Sequence, residues 1–207
     1  MTVKALMGVL ALPVLAYAAG SIPFGLLIAR LWGFGDIRRH GSGNIGATNV
    51  RRTAGSLPGA LTLLGDVLKG GGPVWLAAAV WPGPHASGGQ FFLGLVAVSA
   101  FAGHLYPLYL GGRTGGKGVA TALGALLALS PLSLAVVLLV FVMTACWTNR
   151  VSAASLAAAA AMPFVVWQTT GSGPLTGWVM LMTLGIVVRH RANLRRLISG
   201  TEPPIWR

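Results

Sequence analysis

Three short stretches of this chain combine glycine with cations, the pairing that a phosphate site needs. The first reads His40-Gly41-Ser42-Gly43-Asn44-Ile45-Gly46-Ala47-Thr48-Asn49-Val50-Arg51-Arg52. Small residues there expose backbone N–H groups that can wrap an anion, with hydroxyl, amide and guanidinium groups beside them. Gly41, Gly43 and Gly46 also form a literal G-x-G-x-x-G, but dinucleotide binding needs that motif between a strand and a helix of a βαβ unit, and these surroundings offer none. The second stretch, Gly111-Gly112-Arg113-Thr114-Gly115-Gly116-Lys117-Gly118, nearly matches the nucleotide-binding P-loop, with Gly118 where the metal-binding Ser or Thr belongs. Nucleotide hydrolysis is therefore not expected. A glycine turn with a lysine ahead of the helix starting at Val119 still suits a phosphate, through the helix dipole and free N–H groups. The third stretch, His190 to Glu202, carries Arg191, Arg195 and Arg196, with Leu194, Leu197 and Ile198 on one helical face. On charge alone it reads as a basic amphipathic helix at a membrane surface.

Other catalytic equipment is sparse. No Ser-His-Asp order is evident, and acids are scarce. The single cysteine, Cys146, sits inside an apolar run, where a small core hydrophobe without chemistry is expected. No carboxylate cluster or histidine pair stands at ligand spacing, so no metal and no other cofactor is expected.

The elements that must position these stretches are membrane helices. Of 207 residues, 55% are hydrophobic and 9% charged; a soluble domain carries about 25% charged residues, too many more for this surface to be kept wet. The net charge is +12, from 15 Lys+Arg against 3 Asp+Glu. Nucleic-acid proteins are also basic, but these cations fall in short clusters between long apolar runs, so no nucleic-acid partner is expected. Seven apolar segments stand out, at roughly Ala5–Leu31, Leu57–Trp81, Phe91–Leu110, Val119–Leu129, Leu132–Thr148, Ala153–Thr169 and Pro174–Val188. The fourth is short for a full span. The first imitates a cleavable signal peptide, with Lys4 and a small-x-small Ala16-Tyr17-Ala18, but the apolar run resumes at once and is read as an uncleaved span. Connections with and without cations alternate along the chain. The positive-inside rule then places the N-terminus outside and the C-terminus in the cytoplasm, with all three glycine and basic stretches on the cytoplasmic side. Asp66 and Lys69 break the apolar rule inside the second segment. Three residues apart on a helix, they are expected to pair and to buttress a polar cleft, while Gly70-Gly71-Gly72-Pro73 lets a neighbouring helix approach closely.

Taken together, these residues resemble a known family. Ser42-Gly43-Asn44-Ile45-Gly46-Ala47-Thr48-Asn49 followed by Arg52, Asp66-x-x-Lys69-Gly70, His104-x-x-Pro107 leading to Gly115-Gly116-Lys117-Gly118, and His190-x-x-Asn193-x-x-Arg196-Leu197 ending at Gly200-x-Glu202 look like the bacterial acyl-phosphate-dependent glycerol-3-phosphate acyltransferases. Gly20-Ser21-Ile22-Pro23-Phe24-Gly25 is similar too, so the resemblance runs from about Gly20 to Glu202. One place departs from the pattern. The family tends to carry a basic residue two before a Val-Ser; Asn149 occupies it here, and Arg150 follows before Val151-Ser152.

The resemblance implies an all-α, polytopic membrane bundle of about seven spans forming a single domain, 1–207. It implies acyl transfer from a fatty acyl phosphate to the 1-hydroxyl of sn-glycerol 3-phosphate, giving lysophosphatidic acid and phosphate at the start of phospholipid synthesis in the bacterial inner membrane. Membrane lipids and the two phosphate substrates are the implied partners, together with an upstream enzyme that makes acyl phosphate. The implied catalytic residues are Ser42, Asn44, Arg52, Lys117, His190 and Asn193. Substrate contacts are implied for Gly43, Thr48, Asn49, Lys69 and His104, for Gly115, Gly116 and Gly118, and for Ser152 and Ser155. Asp66 and Glu202 are implied to be structural. The common thioester-using glycerolipid acyltransferases share a His-x4-Asp motif, and none of His40, His85, His104 and His190 has an acid five residues on. Acyl phosphate is a mixed anhydride with a good leaving group, so direct transfer by positioning and charge stabilisation is expected, without an acyl-enzyme. Either His190 or the acceptor's own phosphate is left as the base. A transporter of phosphorylated metabolites would need polar groups reaching both faces, often on inverted repeats, and no internal repeat is evident.

Overall fold

The computed structural model describes residues 3–81, 83, 85–112 and 115–206, with side chains described from residue 11 onward. Arg113 and Thr114 of the second glycine loop, and Arg207 of the tail, lie outside the described residues. Every regular element among the described residues is helical. In chain order they are α1 (Val3–Gly20), α2 (Phe24–Leu31), α3 (Ala47–Ala54), α4 (Ser56–Val80), α5 (Ser87–Leu105), α6 (Val119–Leu129), α7 (Pro131–Thr148), α8 (Val151–Thr170), α9 (Gly173–Arg189) and α10 (Arg191–Ile198). Single 3-10 turns cover Ile37–Arg39 and Leu108–Leu110.

All seven apolar segments are helical. Five stretches, Ala11–Leu31, Ser56–Val80, Ser87–Leu110, Pro131–Thr148 and Val151–Thr170, are long and apolar enough to cross a bilayer; Val119–Leu129 and Gly173–Arg189 are shorter. At 1.5 Å per residue α4 is about 37 Å long, whereas α6 is about 16 Å, half of a typical hydrocarbon core. Local sequence fixes the helix starts. Ser130 caps α7 by accepting from Ser133 N–H at 3.3 Å, with Pro131 in the first turn, and Ser172 does the same for α9 through Leu175 N–H at 3.2 Å.

The first apolar segment is not one helix. The chain breaks between α1 and α2 at Pro23, which has no N–H to continue the ladder of α1; the Ile22 carbonyl beside it accepts from Phe24 N–H at 3.1 Å. Lys69 Nζ, from α4, also donates to that carbonyl at 2.8 Å and pairs with Asp66 Oδ1 at 2.8 Å, so the expected ion pair is tied to the break. The close approach at the glycine run is present as well. A Cβ on Gly70 would collide with the Thr121 carbonyl of α6, and one on Gly124 with the Val67 carbonyl of α4.

The interior is built from Val96, Ala97 and Phe101 of α5, Val165 and Val166 of α8, and Val179 and Met182 of α9. A smaller cluster of Leu26, Ala29, Ile37, Ile45 and Val50 supports the first glycine loop. Leu139, Met143, Trp147, Phe164 and Leu184 face outward. Cys146 corrects an expectation: it is exposed on α7 rather than part of the core. Against lipid, an apolar run marks a membrane helix and not an inward face.

Candidate active site

The cationic stretches meet at one end of the bundle. In the first, Asp36 starts the turn by accepting from Arg38 N–H at 3.1 Å, and its carboxylate takes the Arg38 guanidinium at 2.8 and 2.6 Å. That guanidinium holds the Asp36 carboxyl well below the usual carboxylate range. The loop is then shaped from inside by Asn49. Its Oδ1 accepts from Ser42 N–H at 2.9 Å, while Nδ2 faces the carbonyls of Asn44 at 2.9 Å, His40 at 3.1 Å and Ile37 at 3.4 Å. Asn44 Oδ1 accepts from Gly46 N–H at 2.8 Å. Gly41 (φ 57°) and Gly43 (φ 70°) are left-handed, a conformation that presents successive peptide groups to one side and disfavours side chains. Thr48 stands half-buried in the first turn of α3.

The second loop is held from both sides. Gly116 N–H donates to the His104 carbonyl at 3.1 Å. Arg189, the last residue of α9, donates through Nε to the Gly116 carbonyl at 2.9 Å and through Nη2 to the Gly115 carbonyl. Gly118 adopts φ 83°, and a Cβ there would collide with the Phe101 ring. The departure from the P-loop pattern thus has a steric cause: a Ser or Thr does not fit this turn. Ser42, Gly43 and Asn44 then line a cleft of about 350 Å³ with Gly115, Arg38 and Arg189.

The third stretch supplies a chain of polar contacts. Lys117 Nζ donates to Asn193 Oδ1 at 2.5 Å, Asn193 Nδ2 donates to Glu202 Oε1 at 2.6 Å, and Arg196 Nε donates to Glu202 Oε2 at 2.7 Å. An ammonium on one side and a carboxylate on the other leave the Asn193 amide a single satisfied orientation. Burial pushes the Lys117 ammonium down to about 8; Glu202 works against this, while Arg196, Arg52 and Arg189 add to it. Burial is the main opponent of charge on Glu202, yet bonds from its neighbours hold that carboxyl below its usual value. The Ser152 hydroxyl lies by this carboxylate, outside hydrogen-bonding geometry with any described group. Ser155, one turn further along α8, is also buried. His190 is 2% exposed, and its Nδ1 faces the Ile186 carbonyl at 2.8 Å. A carbonyl can only accept, so Nδ1 carries the proton and Nε2 keeps its lone pair. Burial first, then the Lys117 charge, push this imidazole down to about 4.

Not every residue that the resemblance pointed to reaches this end openly. Asp66, Lys69 and His104 form a buried group beneath the second loop, with His104 Nδ1 3.5 Å from Asp66 Oδ1, an ion-pair distance rather than a hydrogen bond. The Lys69 ammonium is occupied by Asp66 and Ile22. A Cβ on Gly116 would collide with His104 Nε2, so this group sets the shape of the loop from below. Asn49 is likewise 3% exposed and committed to its own loop. Conversely, Arg38 and Arg189 line the cleft although neither stands in a glycine motif. The signal for Arg189 was its place between the last apolar run and His190.

The chain matches the glycerol-3-phosphate acyltransferase family over residues 10–200. It belongs to that family. Among its relatives, the glycerol-3-phosphate acyltransferase of Syntrophotalea carbinolica is 46% identical over 187 residues, covering 90% of this chain and 92% of the relative. That of Bordetella pertussis is 43% identical over 214 residues, covering 99% and 95%. The crystal structure of PlsY (YgiH), an integral membrane glycerol 3-phosphate acyltransferase in its glycerol 3-phosphate form, superposes with a TM-score of 0.88 at 36% identity, covering 95% of each chain. Its lysophosphatidic acid form gives 0.85 at 35% identity with the same coverage. The acyltransferase is thus an integral membrane helical bundle, and the glycine cleft with the Lys117–Asn193–Glu202 chain is its candidate site.

Proposed function

We propose that this acyltransferase moves a fatty acyl group from acyl phosphate to the 1-hydroxyl of sn-glycerol 3-phosphate, at the cytoplasmic face of a bacterial inner membrane. The observation that carries the reading is the pair of adjoining cationic positions at one end of the bundle. One is the cleft of Ser42, Gly43, Asn44 and Gly115 between Arg38 and Arg189. The other is Lys117 with Asn193 and His190, near the Arg52 charge. Two phosphate substrates, each at about −1.5 to −2 charge, need two such positions. The phosphate of the acyl donor suits the glycine cleft between its two guanidinium groups. The water-soluble acceptor suits the position near Arg52, whose side chain is exposed at the rim.

In the reaction the acceptor's 1-hydroxyl attacks the acyl carbonyl, the C–O bond to phosphate breaks, and phosphate leaves with both bonding electrons. The Arg38 and Arg189 guanidinium groups beside the cleft, with the nearby Lys117 charge, stabilise that departing charge. His190 is neutral at physiological pH and offers Nε2 as a hydrogen-bond acceptor to the hydroxyl. With its conjugate acid at about 4 it is the weaker base, and a phosphate with a second pKa of about 6 is the stronger acceptor of the proton. These relative basicities support proton transfer to the substrate's own phosphate, with His190 orienting the hydroxyl. The purified protein, given acyl phosphate and glycerol 3-phosphate, should release phosphate and lysophosphatidic acid in equal amounts. Robust turnover with acyl-CoA, and none with acyl phosphate, would refute the donor.

A further inference from the structure

Beyond Glu202 the chain is clamped to the corner between α7 and α8. Ile205 N–H donates to both the carbonyl and the side-chain Oδ1 of Asn149, each at 3.0 Å. Trp206 N–H donates to the same Oδ1 at 3.1 Å, and Asn149 Nδ2 donates to the Trp206 carbonyl at 2.8 Å. Asn149 closes α7 at φ 53°, the only non-glycine residue with positive φ among those described. Its amide supplies a donor and an acceptor at once, which neither a lysine nor a carboxylate can do.

Two anchors therefore bound the segment. Glu202 is fixed by Asn193 and Arg196, and Ile205–Trp206 by Asn149. Between them lie Pro203 and Pro204, whose rings fix φ at about −65° and which have no N–H to bond elsewhere. The carbonyls of this stiff bridge point where the anchors put them, and they accept from Arg52 Nη2 at 3.4 Å (Pro203) and 3.3 Å (Pro204). Arg51 Nη2 meets the Ile205 carbonyl at 3.5 Å. One nitrogen of the Arg52 guanidinium is held in this way, and its other N–H groups remain for a ligand.

We propose that Asn149 is a positioning residue for the acceptor substrate: by clamping Ile205 and Trp206 it sets the proline carbonyls that aim Arg52 at the phosphate of glycerol 3-phosphate. This rests on the reading above that Arg52 meets that phosphate. Binding then avoids the cost of ordering a long, flexible cation, and the gain appears in affinity for one substrate only.

The test is steady-state kinetics on the full chain in bilayers, with each substrate varied in turn. Asn149→Gly keeps the left-handed corner, which glycine favours, and the backbone bond to Ile205, and it removes the three side-chain bonds of the clamp. The expected result is a rise of about three- to tenfold in KM for glycerol 3-phosphate, the scale of one lost hydrogen bond. The kcat, the KM for acyl phosphate and the melting temperature should be unchanged. Asn149→Asp keeps the acceptor for Ile205 and Trp206 and should recover part of the affinity. In an Arg52→Ala background, Asn149→Gly should add nothing to that KM, since a residue acting through Arg52 has nothing left to act on. Additive effects in the double variant, or losses shared by both substrates, overturn the inference. A near-wild-type KM in Arg52→Ala alone refutes the underlying contact. A raised KM there, with unchanged kinetics in Asn149→Gly, refutes the clamp by itself.

Discussion

Lys117 is the residue on which the site turns, and its pH dependence separates charge from mere packing. Its ammonium donates to Asn193 at 2.5 Å and sits among Arg52, Arg189 and Arg196, with burial pushing it down to about 8. On the proposed reading, Lys117→Ala loses a charge-assisted hydrogen bond to the substrate's phosphate, worth roughly 1.5–3 kcal/mol, or a factor of about 10–150 in kcat/KM. The ionised form is the one that binds phosphate, and it is lost as pH rises through its folded value. Wild-type kcat/KM, which reports the free enzyme, should therefore fall above about pH 8. A guanidinium does not titrate in this range, so Lys117→Arg should lose that alkaline limb while recovering only part of the maximum, because a planar fork replaces a compact charge in a tight turn. The assay is phosphate release in reconstituted bilayers across roughly pH 6–10, on both sides of the expected limb, with variants matched for insertion and melting temperature. Near-wild-type activity in Lys117→Ala would refute the phosphate role. A wild-type profile that is flat past the limb, or an identical limb in Lys117→Arg, would refute the assignment of that ionisation to Lys117.

Three further outcomes follow from the geometry. Glu202→Gln removes the carboxylate that raises the Lys117 pKa, so the alkaline limb should move to lower pH and kcat/KM at neutrality should drop; an unmoved limb would show that the two are uncoupled. Gly118→Ser restores the P-loop consensus but puts a side chain at φ 83° against Phe101, at a cost of roughly 1–3 kcal/mol; the melting temperature should fall with no nucleotide hydrolysis gained, and an unchanged melting temperature would contradict the steric reading. For orientation, the exposed Cys146 is first replaced by serine. An impermeant thiol reagent outside the cell should then label a cysteine placed at His85 and miss one placed at Arg113, and the reverse pattern would invert the proposed topology.

Much of this arrangement was legible in the sequence because membrane helices announce themselves locally. The seven apolar segments, the Asp66–Lys69 pair and the glycine approach of α4 to α6 all rest on short-range pattern. The three cationic stretches were separable from ordinary loops because glycine and arginine together point to anions. What stayed hidden depended on distant contacts. Nothing in the spacing says that the Lys69 ammonium is taken up by the Ile22 carbonyl beside the helix break, or that Asn49 turns inward to shape its own loop. Arg38 and Arg189 gain their place at the cleft only when three loops meet. Cys146 was misplaced for another reason: apolarity cannot tell lipid from protein interior. Asn149 stood out only as a departure from the family pattern, and its partners are more than fifty residues away in the chain.

The Lys69–Ile22 contact also bears on how the chain enters a membrane. A lysine at bilayer centre costs roughly 2.5–3.5 kcal/mol, and Lys69 meets two groups that offset it: Asp66 on its own helix and the Ile22 carbonyl of the first segment. The first segment is made before α4, so that carbonyl is in place when Ser56–Val80 emerges. Biogenesis then has an order built in: the kinked first segment offers the second a ready partner for its lysine, and the second span settles against the first.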